Sequence, residues 1–290
     1  MQSYPTHYGA REIRYGIEAD HLVRDCLASP EPCLIARFGA VELQIVHYYH
    51  TRRGQSQIDF PESLREVICS NAGVFPPTSP VLSRFSQDFI RLLPRVDAMA
   101  VWNFQDAKEQ ELLDAFAPQA ALVGLSVLGG SPSFSWVQHL KDKKILVIHP
   151  FAKTILKQYP KREAIYPRHP LPAFELKVIN AVQGLNPDTR ALYPSWFDAL
   201  REMRDKIDRE DFDIALIGAG AFGIFLADHV KKIGKKAVHM GGALQILFGI
   251  RGSRWDKYNL YNAHWAYPAP DETLPDLTLF LKHEANKAYW

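Results

Sequence analysis

Four blocks and one isolated amide carry the residue types that could do chemistry. The run Arg37-Phe38-Gly39-Ala40-Val41-Glu42 follows an apolar strand pattern and opens a helical one, so Glu42 falls in a first helical turn at the carboxyl edge of a strand. Open α/β sheets bind ligands at that edge. Glu42 could equally complement the helix dipole while Arg37 makes a structural ion pair. Gly218-Ala219-Gly220-Ala221-Phe222-Gly223 satisfies G-x-G-x-x-G directly after DIALI. Its glycines allow close backbone approach, and the helix that follows offers free N–H groups to a phosphate. Tight strand–helix packing without a ligand is the alternative. In HMGGALQILFGIRGSRW, His239 ends a strand, Gly241-Gly242 opens a helix with Gln245 one turn in, and Arg251, Arg254 and Trp255 follow. Glycine turn, histidine and arginines together make an anion cradle with a candidate proton-transfer group in His239. Lys153 falls in the first turn after the strand that ends at His149, where a cation opposes the helix dipole. An anionic ligand or an acidic neighbour would explain it. Asn71 stands in SNAGVF, which reads as a turn.

These blocks need a frame. Apolar runs Cys33 to Phe38, Ala98 to Asn103, Ala120 to Leu125, Lys144 to His149, Asp213 to Ile217 and Lys236 to Met240 read as strands. Their continuous apolar character suits a parallel sheet covered on both faces. Helical patterns lie between them. In SPVLSRFSQDFIRLL, Ser79 can cap, Pro80 starts the helix, and Val81, Leu82, Phe85, Phe89 and Leu92 form one stripe. In SWFDALREMRDKI, Ser195 with Asp198 resembles a capping box, and Trp196, Leu200, Met203 and Ile207 share a face. The alternation predicts a doubly wound α/β fold with helices on both faces of a mostly parallel sheet. The 290 residues are read as one domain. The proline-rich stretch 159–172 is the weakest joint, where two lobes would divide, and AYPAPDETLPDL after Trp265 reads as a surface loop.

Composition narrows the classes. Hydrophobic residues at 47% and charged ones at 23% are ordinary for a globular chain. Lys plus Arg (34) nearly cancels Asp plus Glu (32), so there is no general field for nucleic acid and local cations must carry any phosphate binding. Three cysteines with no C-x-x-C argue against a disulfide framework or structural zinc. The first residues lack a signal-peptide layout, and the uncharged stretch Ile214 to Ala227 is shorter than the roughly 20 residues a membrane helix needs. The chain reads as cytoplasmic, compatible with peripheral attachment at the inner face of the cell membrane. Gly-x-Ser-x-Gly, a Walker A lysine and H-E-x-x-H are absent, which removes support for hydrolase and P-loop readings.

Taken together, LIARFGAVELQIV resembles the R-x-G-D-G-E block of the GT-D-type glycosyltransferases, a Rossmann-like class of bacterial surface-polysaccharide and adhesin glycosylation. FDIALIGAGAFGIFLADHVKKIGKKAVHMGG is similar to that class's C-terminal strand–glycine-turn–helix–strand unit, and ILVIHPF and HMGGALQILFGIRGSRW extend the likeness from about Cys33 to Trp265. The resemblance implies transfer of a sugar from a nucleoside-diphosphate sugar, UDP-type, to an acceptor glycan hydroxyl, with a lipid-linked acceptor included. The family's D-x-E pair holds a divalent cation, Mn or Mg, and the pyrophosphate. Its Glu falls on Glu42 and its Asp on Ala40, so one carboxylate is missing here.

The expected site is therefore Glu42 and His239 for catalysis, with Glu42 also the metal ligand. Arg37, Gly39, Asn71, His149, Lys153, Gly218, Gly220, Gly241, Gln245, Arg251 and Trp255 would bind substrate, with Arg37, Lys153 or Arg251 offsetting diphosphate charge. Two rivals stand. A nicotinamide-dependent oxidoreductase would use the glycine turn, but the carboxylate expected about 20 residues on is absent at Val238 to Gly242. A non-catalytic nucleotide-sugar-binding protein would account for Ala40.

Overall fold

The computed structural model describes residues 5–102 and 107–272. Its centre is a nine-stranded sheet: β1 (His7–Tyr8), β2 (Arg11–Arg14), β3 (Leu34–Arg37), β4 (Ala98–Val101), β5 (Ala121–Gly124), β6 (Lys144–His149), β7 (Glu175–Asn180), β8 (Ile214–Ile217) and β9 (Lys236–His239). The order across it is β1-β2-β5-β4-β3-β9-β8-β6-β7. All neighbours run parallel except the edge hairpin β1–β2.

Side-chain alternation divides the core between the two faces. Leu34, Ala36, Leu146, Ile148, Ala215 and Ile217 face one cluster, built with helices Ala40–His50, Ser79–Leu92, Trp196–Asp208 and Gly223–Lys232. Ile35, Ile145, Val147, Ile214 and Leu216 face the other, built with helices Gly16–Ala28, Ala152–Gln158 and Leu244–Leu247. Crossovers stepping one way along the sheet (β3 to β4 to β5, β7 to β8 to β9) run over the first face. Those stepping the other way (β2 to β3, β5 to β6, β6 to β7) run over the second, as single-handed connections require.

All six strands expected from the sequence form, within two residues at each end; Asn103 lies outside the described residues. Three strands are additional. β2 (REIR) and β7 (ELKVIN) lie towards the sheet margins and are partly exposed, so they alternate polar and apolar residues and escape a search for continuous apolar runs. The helix Ser79–Leu92 buries Leu82, Phe85, Phe89 and Leu92, with Val81 at its margin. Thr78 rather than Ser79 is its N-cap; the Ser79 hydroxyl donates to Asp59 Oδ1 at 2.6 Å and accepts from Phe60 N–H at 3.0 Å. At Ser195 the hydroxyl donates to the Asp198 carboxylate at 2.6 Å, a side-chain variant of the expected box. The segment 159–172 contains a 3-10 turn, Tyr159–Lys161, and a helix, Arg162–Ile165, with Tyr159 stacked on Phe174 at 4.7 Å. One sheet continues across this segment, β6 lying between β7 and β8. Among the described residues no helix is long and apolar enough to cross a membrane, and the three cysteines are unpaired.

Candidate functional site

β3 and β9 are neighbours whose following helices leave to opposite faces, Ala40–His50 to one and Leu244–Leu247 to the other. Such a reversal leaves a crevice at the carboxyl ends of the strands. A cavity of about 260 Å³ lies there, near the lower end of the roughly 300–1,000 Å³ of small-molecule sites. It gathers residues from the ends of six strands: Arg37 to Glu42 after β3, Trp102 after β4, His149 to Phe151 after β6, Val182 to Leu185 after β7, Gly218 to Phe222 after β8, and His239 to Gln245 after β9.

Ten of the thirteen expected site residues line this cavity: Arg37, Gly39, Glu42, Asn71, His149, Gly218, Gly220, His239, Gly241 and Gln245. The structure does not bring the other three to its wall. Lys153 is exposed and pairs with Asp271, while its backbone N–H donates to Glu272 Oε1 at 2.5 Å, so an acidic neighbour rather than a ligand answers its charge. Arg251 packs its guanidinium over Tyr261 and Tyr267, 4.7 and 4.6 Å from the ring centres. Trp255 packs against the separate cluster around Ile165, Ile246 and Trp265. Asn71 sits in the last turn of helix Glu62–Ala72 rather than in a free turn, and Gly73, with φ of 78°, ends that helix.

Glu42 is buried, and its side chain folds back over Gly39, where any Cβ would overlap the carboxylate. Burial pushes its pKa up; a bond from its own backbone N–H and the nearby Arg37 pull the other way and do not prevail. The carboxylate thus complements the start of its own helix. Arg37 donates from Nε to Phe38 O at 3.0 Å, and its guanidinium lies 4.4 Å from the Trp102 ring centre. Gly241, with φ of +61°, lets the chain pass that guanidinium: a Cβ there would stand 2.9 Å from Arg37 Nη1. Gly218 is pressed between Gly241 O and the His149 ring, each 2.7 Å from where its Cβ would be.

Both histidines are buried, and burial pushes each pKa down to about 3; Arg37 adds to the effect on His239. His149 Nδ1 accepts Phe151 N–H at 3.0 Å, which leaves the proton on Nε2. His239 packs against Gly223, and its Nδ1 has no partner among the described residues. Burial and Arg37 disfavour the imidazolium, so His239 is unprotonated at neutral pH but a weak proton acceptor, better suited to hydrogen bonding than to the general-base work expected of it. Gln245, fully buried, is committed to the turn that follows it, its Nε2 donating to Arg251 O at 3.0 Å.

Sequence reasoning missed Trp102, Phe222 and the loop Val182–Leu185, while Arg254, named in the expected anion cradle, does line the cavity. Trp102 was legible only as the aromatic residue at a strand's carboxyl end. Phe222 stacks on Trp196 at 4.7 Å and 7°, which ties that part of the wall to the core. The 182–185 loop belongs to the unrecognised β7; Arg190 fastens it by donating to Gly184 O at 2.5 Å and Leu185 O at 3.2 Å.

Glu42 is the single carboxylate among the described lining residues, and no group of three His, Cys, Asp or Glu that could hold a metal occurs among the described residues. With Glu42 turned to its own helix and His149 Nδ1 already accepting, this donor set does not fit Mn or Mg, which prefer several oxygen ligands. What the wall offers instead is cationic guanidinium groups from Arg37 and Arg254, neutral imidazoles, and close backbone at glycine turns, a chemistry suited to an anion with an attached ring. No protein-family model, no curated protein and no solved structure matches this chain.

Proposed function

We propose that the chain is a Rossmann-like, GT-D-type glycosyltransferase that moves a sugar from a nucleoside-diphosphate sugar to an acceptor glycan hydroxyl in surface-polysaccharide or glycoconjugate synthesis. The observation that carries the reading is the strand-end cavity, where Arg37 meets the glycine turns at Gly218–Gly220 and Gly241–Gly242. The resemblance of the segments around Arg37, Gly218 and His239 to that class supports it from the sequence side. In the reaction the acceptor oxygen forms a new bond to the anomeric carbon. The bond from that carbon to the phosphate oxygen breaks, and the nucleoside diphosphate leaves with the electron pair. The acceptor's proton passes to the leaving diphosphate or to water. Arg37 offsets the charge that develops on the leaving group, and Gly218, Gly220 and Gly241 admit the phosphates to close backbone contact. His149 and His239 act as neutral hydrogen-bonding groups, and Glu42 orients the first turn of its helix against the donor.

A second reading, a nucleotide-sugar-binding protein without turnover, is favoured by two observations: Ala40 stands where the family has Asp, and Glu42 is committed to its own helix. A thermal-shift series with nucleoside diphosphates and with NADH, followed by an assay of sugar release, separates these readings. A nucleoside diphosphate at about a hundred times its dissociation constant is expected to stabilise the protein by roughly 2.7 kcal/mol. Glu42→Gln is expected to lower transfer while leaving the unliganded stability within about 1 kcal/mol of the parent. Stabilisation by NADH with none by any nucleoside diphosphate overturns the proposal, and binding without turnover on any acceptor selects the second reading.

A further inference from the structure

We infer that Arg37, held in place by Trp102, takes over the charge-neutralising part that a divalent cation would play at a D-x-E pair, so that this cavity binds a diphosphate without metal. The inference rests on the nucleotide-sugar reading for its ligand and on the cavity itself for its chemistry. A diphosphate brings two or more negative charges, and the protein must offset them with a cation of its own or a borrowed one. The borrowed one has a poor seat: Ala40 has no side-chain oxygen to offer, and Glu42 is buried and folded back over Gly39 at the start of its own helix, with burial raising its pKa. Arg37 sits at the end of β3 in the cavity wall, next to the turn at Gly241, and its fork of N–H donors matches phosphate oxygens two at a time.

Trp102 makes that placement rigid. Its indole Nε1–H donates to Phe38 O at 2.7 Å, the same carbonyl that accepts from Arg37 Nε at 3.0 Å. The ring and the guanidinium therefore share one anchor and lie 4.4 Å apart as a cation–π pair. The Trp102 backbone is held in turn. Its N–H donates to the Glu109 carboxylate at 3.0 Å, and that carboxylate also accepts from the Tyr8 hydroxyl at 2.7 Å. Glu109 is fully buried, so the chain that positions Arg37 runs from the edge hairpin through a buried carboxylate to the cavity. Trp102 is a positioning residue in this scheme: it fixes where the positive charge stands and how it is oriented, which lowers the ordering cost of binding.

Calorimetric titration of the full chain with inorganic pyrophosphate and with UDP, each in EDTA and in excess manganese, tests the inference. Both ligands are expected to bind in EDTA, with manganese tightening them by less than about threefold because the protein supplies too few oxygens. Arg37→Gln is expected to weaken pyrophosphate roughly ten- to a hundredfold, the range of a lost charged hydrogen-bond pair. Trp102→Leu, or Trp102→Phe if the first variant does not fold, is expected to weaken it less, and to add little on top of Arg37→Gln. That non-additivity is the sign of action through the guanidinium, which a merely structural residue would not show. Binding that appears only with manganese, an Arg37→Gln affinity equal to the parent's, or fully additive losses in the double variant overturn the inference. Absence of pyrophosphate binding under every condition overturns it as well. Pyrophosphate binding through Arg37 with no nucleoside diphosphate bound leaves it standing and removes the proposed function instead.

Discussion

His149 ends β6 and His239 ends β9, both lining the same cavity, and burial holds each neutral with its pKa near 3. An unfolded imidazole titrates near 6.5. Below that pH the unfolded chain takes up protons that the folded chain refuses, so stability falls as pH drops from about 6.5 towards 3. Denaturant unfolding at pH 7, 6, 5 and 4 is expected to show this loss. Replacing His239 with Asn should flatten the profile across that window by up to one proton, whereas an unchanged slope would mean that the buried imidazole titrates normally. Glu42 carries the opposite sign: its raised pKa means that ionisation costs more in the folded chain, so its contribution grows as pH falls into the carboxylate range. The residue types at positions 37, 42, 149, 218 and 239 were legible as site candidates because each follows a strand pattern at its carboxyl end. The cation at Lys153 follows the same rule and still fails to reach the cavity, because Asp271 and Glu272, more than a hundred residues away in sequence, fold onto it. No local pattern encodes that partner.

At the scale of elements, the G-x-G-x-x-G turn does two kinds of work. Gly218 and Gly220 line the cavity, and Gly220 takes a φ of +52° that favours glycine. Gly223 does not line it: it begins the helix Gly223–Lys232 and lets that helix lie against the His239 ring on β9. Here the packing alternative weighed for the motif describes one glycine and the cavity describes the others. Alanine would ordinarily favour a helix over glycine by about 1 kcal/mol. At position 223 the added methyl would overlap the buried His239 imidazole, so overpacking outweighs the propensity gain, and Gly223→Ala is expected to destabilise by about 1–3 kcal/mol in chemical denaturation. A stability equal to or above the parent's would show that the ring moves freely. The helix from Ser79 illustrates the reverse case, where a local pattern sufficed. Its apolar stripe and early proline identify it without reference to any partner, and only the identity of the cap shifts by one residue.

Across the whole molecule, one sheet carries two cores, one on each face, and the β6–β7 and β8–β9 pairs continue it without a break from the first half of the chain. The proline-rich stretch 159–172 runs beside this sheet, with Tyr159 donating to Phe174 O at 2.8 Å and Tyr166 against Trp265 at 5.6 Å. Because both cores share every central strand, equilibrium denaturation followed by tryptophan fluorescence and by far-ultraviolet circular dichroism is expected to give coincident single transitions. Two separated transitions would mean that the halves unfold independently. By itself the sequence determined the six apolar strands, the helices between them and the glycine turns, because a strand buried on both faces must be apolar throughout and a covering helix must repeat its apolar residues every turn. It could not determine the partly exposed strands β2 and β7, whose mixed polarity leaves no such mark, nor the loop after β7 that lines the cavity. Only the tertiary structure decided which cations reach the crevice and which do not. Those outcomes depend on contacts between segments far apart in the chain: Arg37 with Trp102, Gly223 with His239, Lys153 with Asp271. Charge and hydrogen-bonding capacity are properties of a residue, but whether a ligand or a neighbour satisfies them is a property of the packing around it.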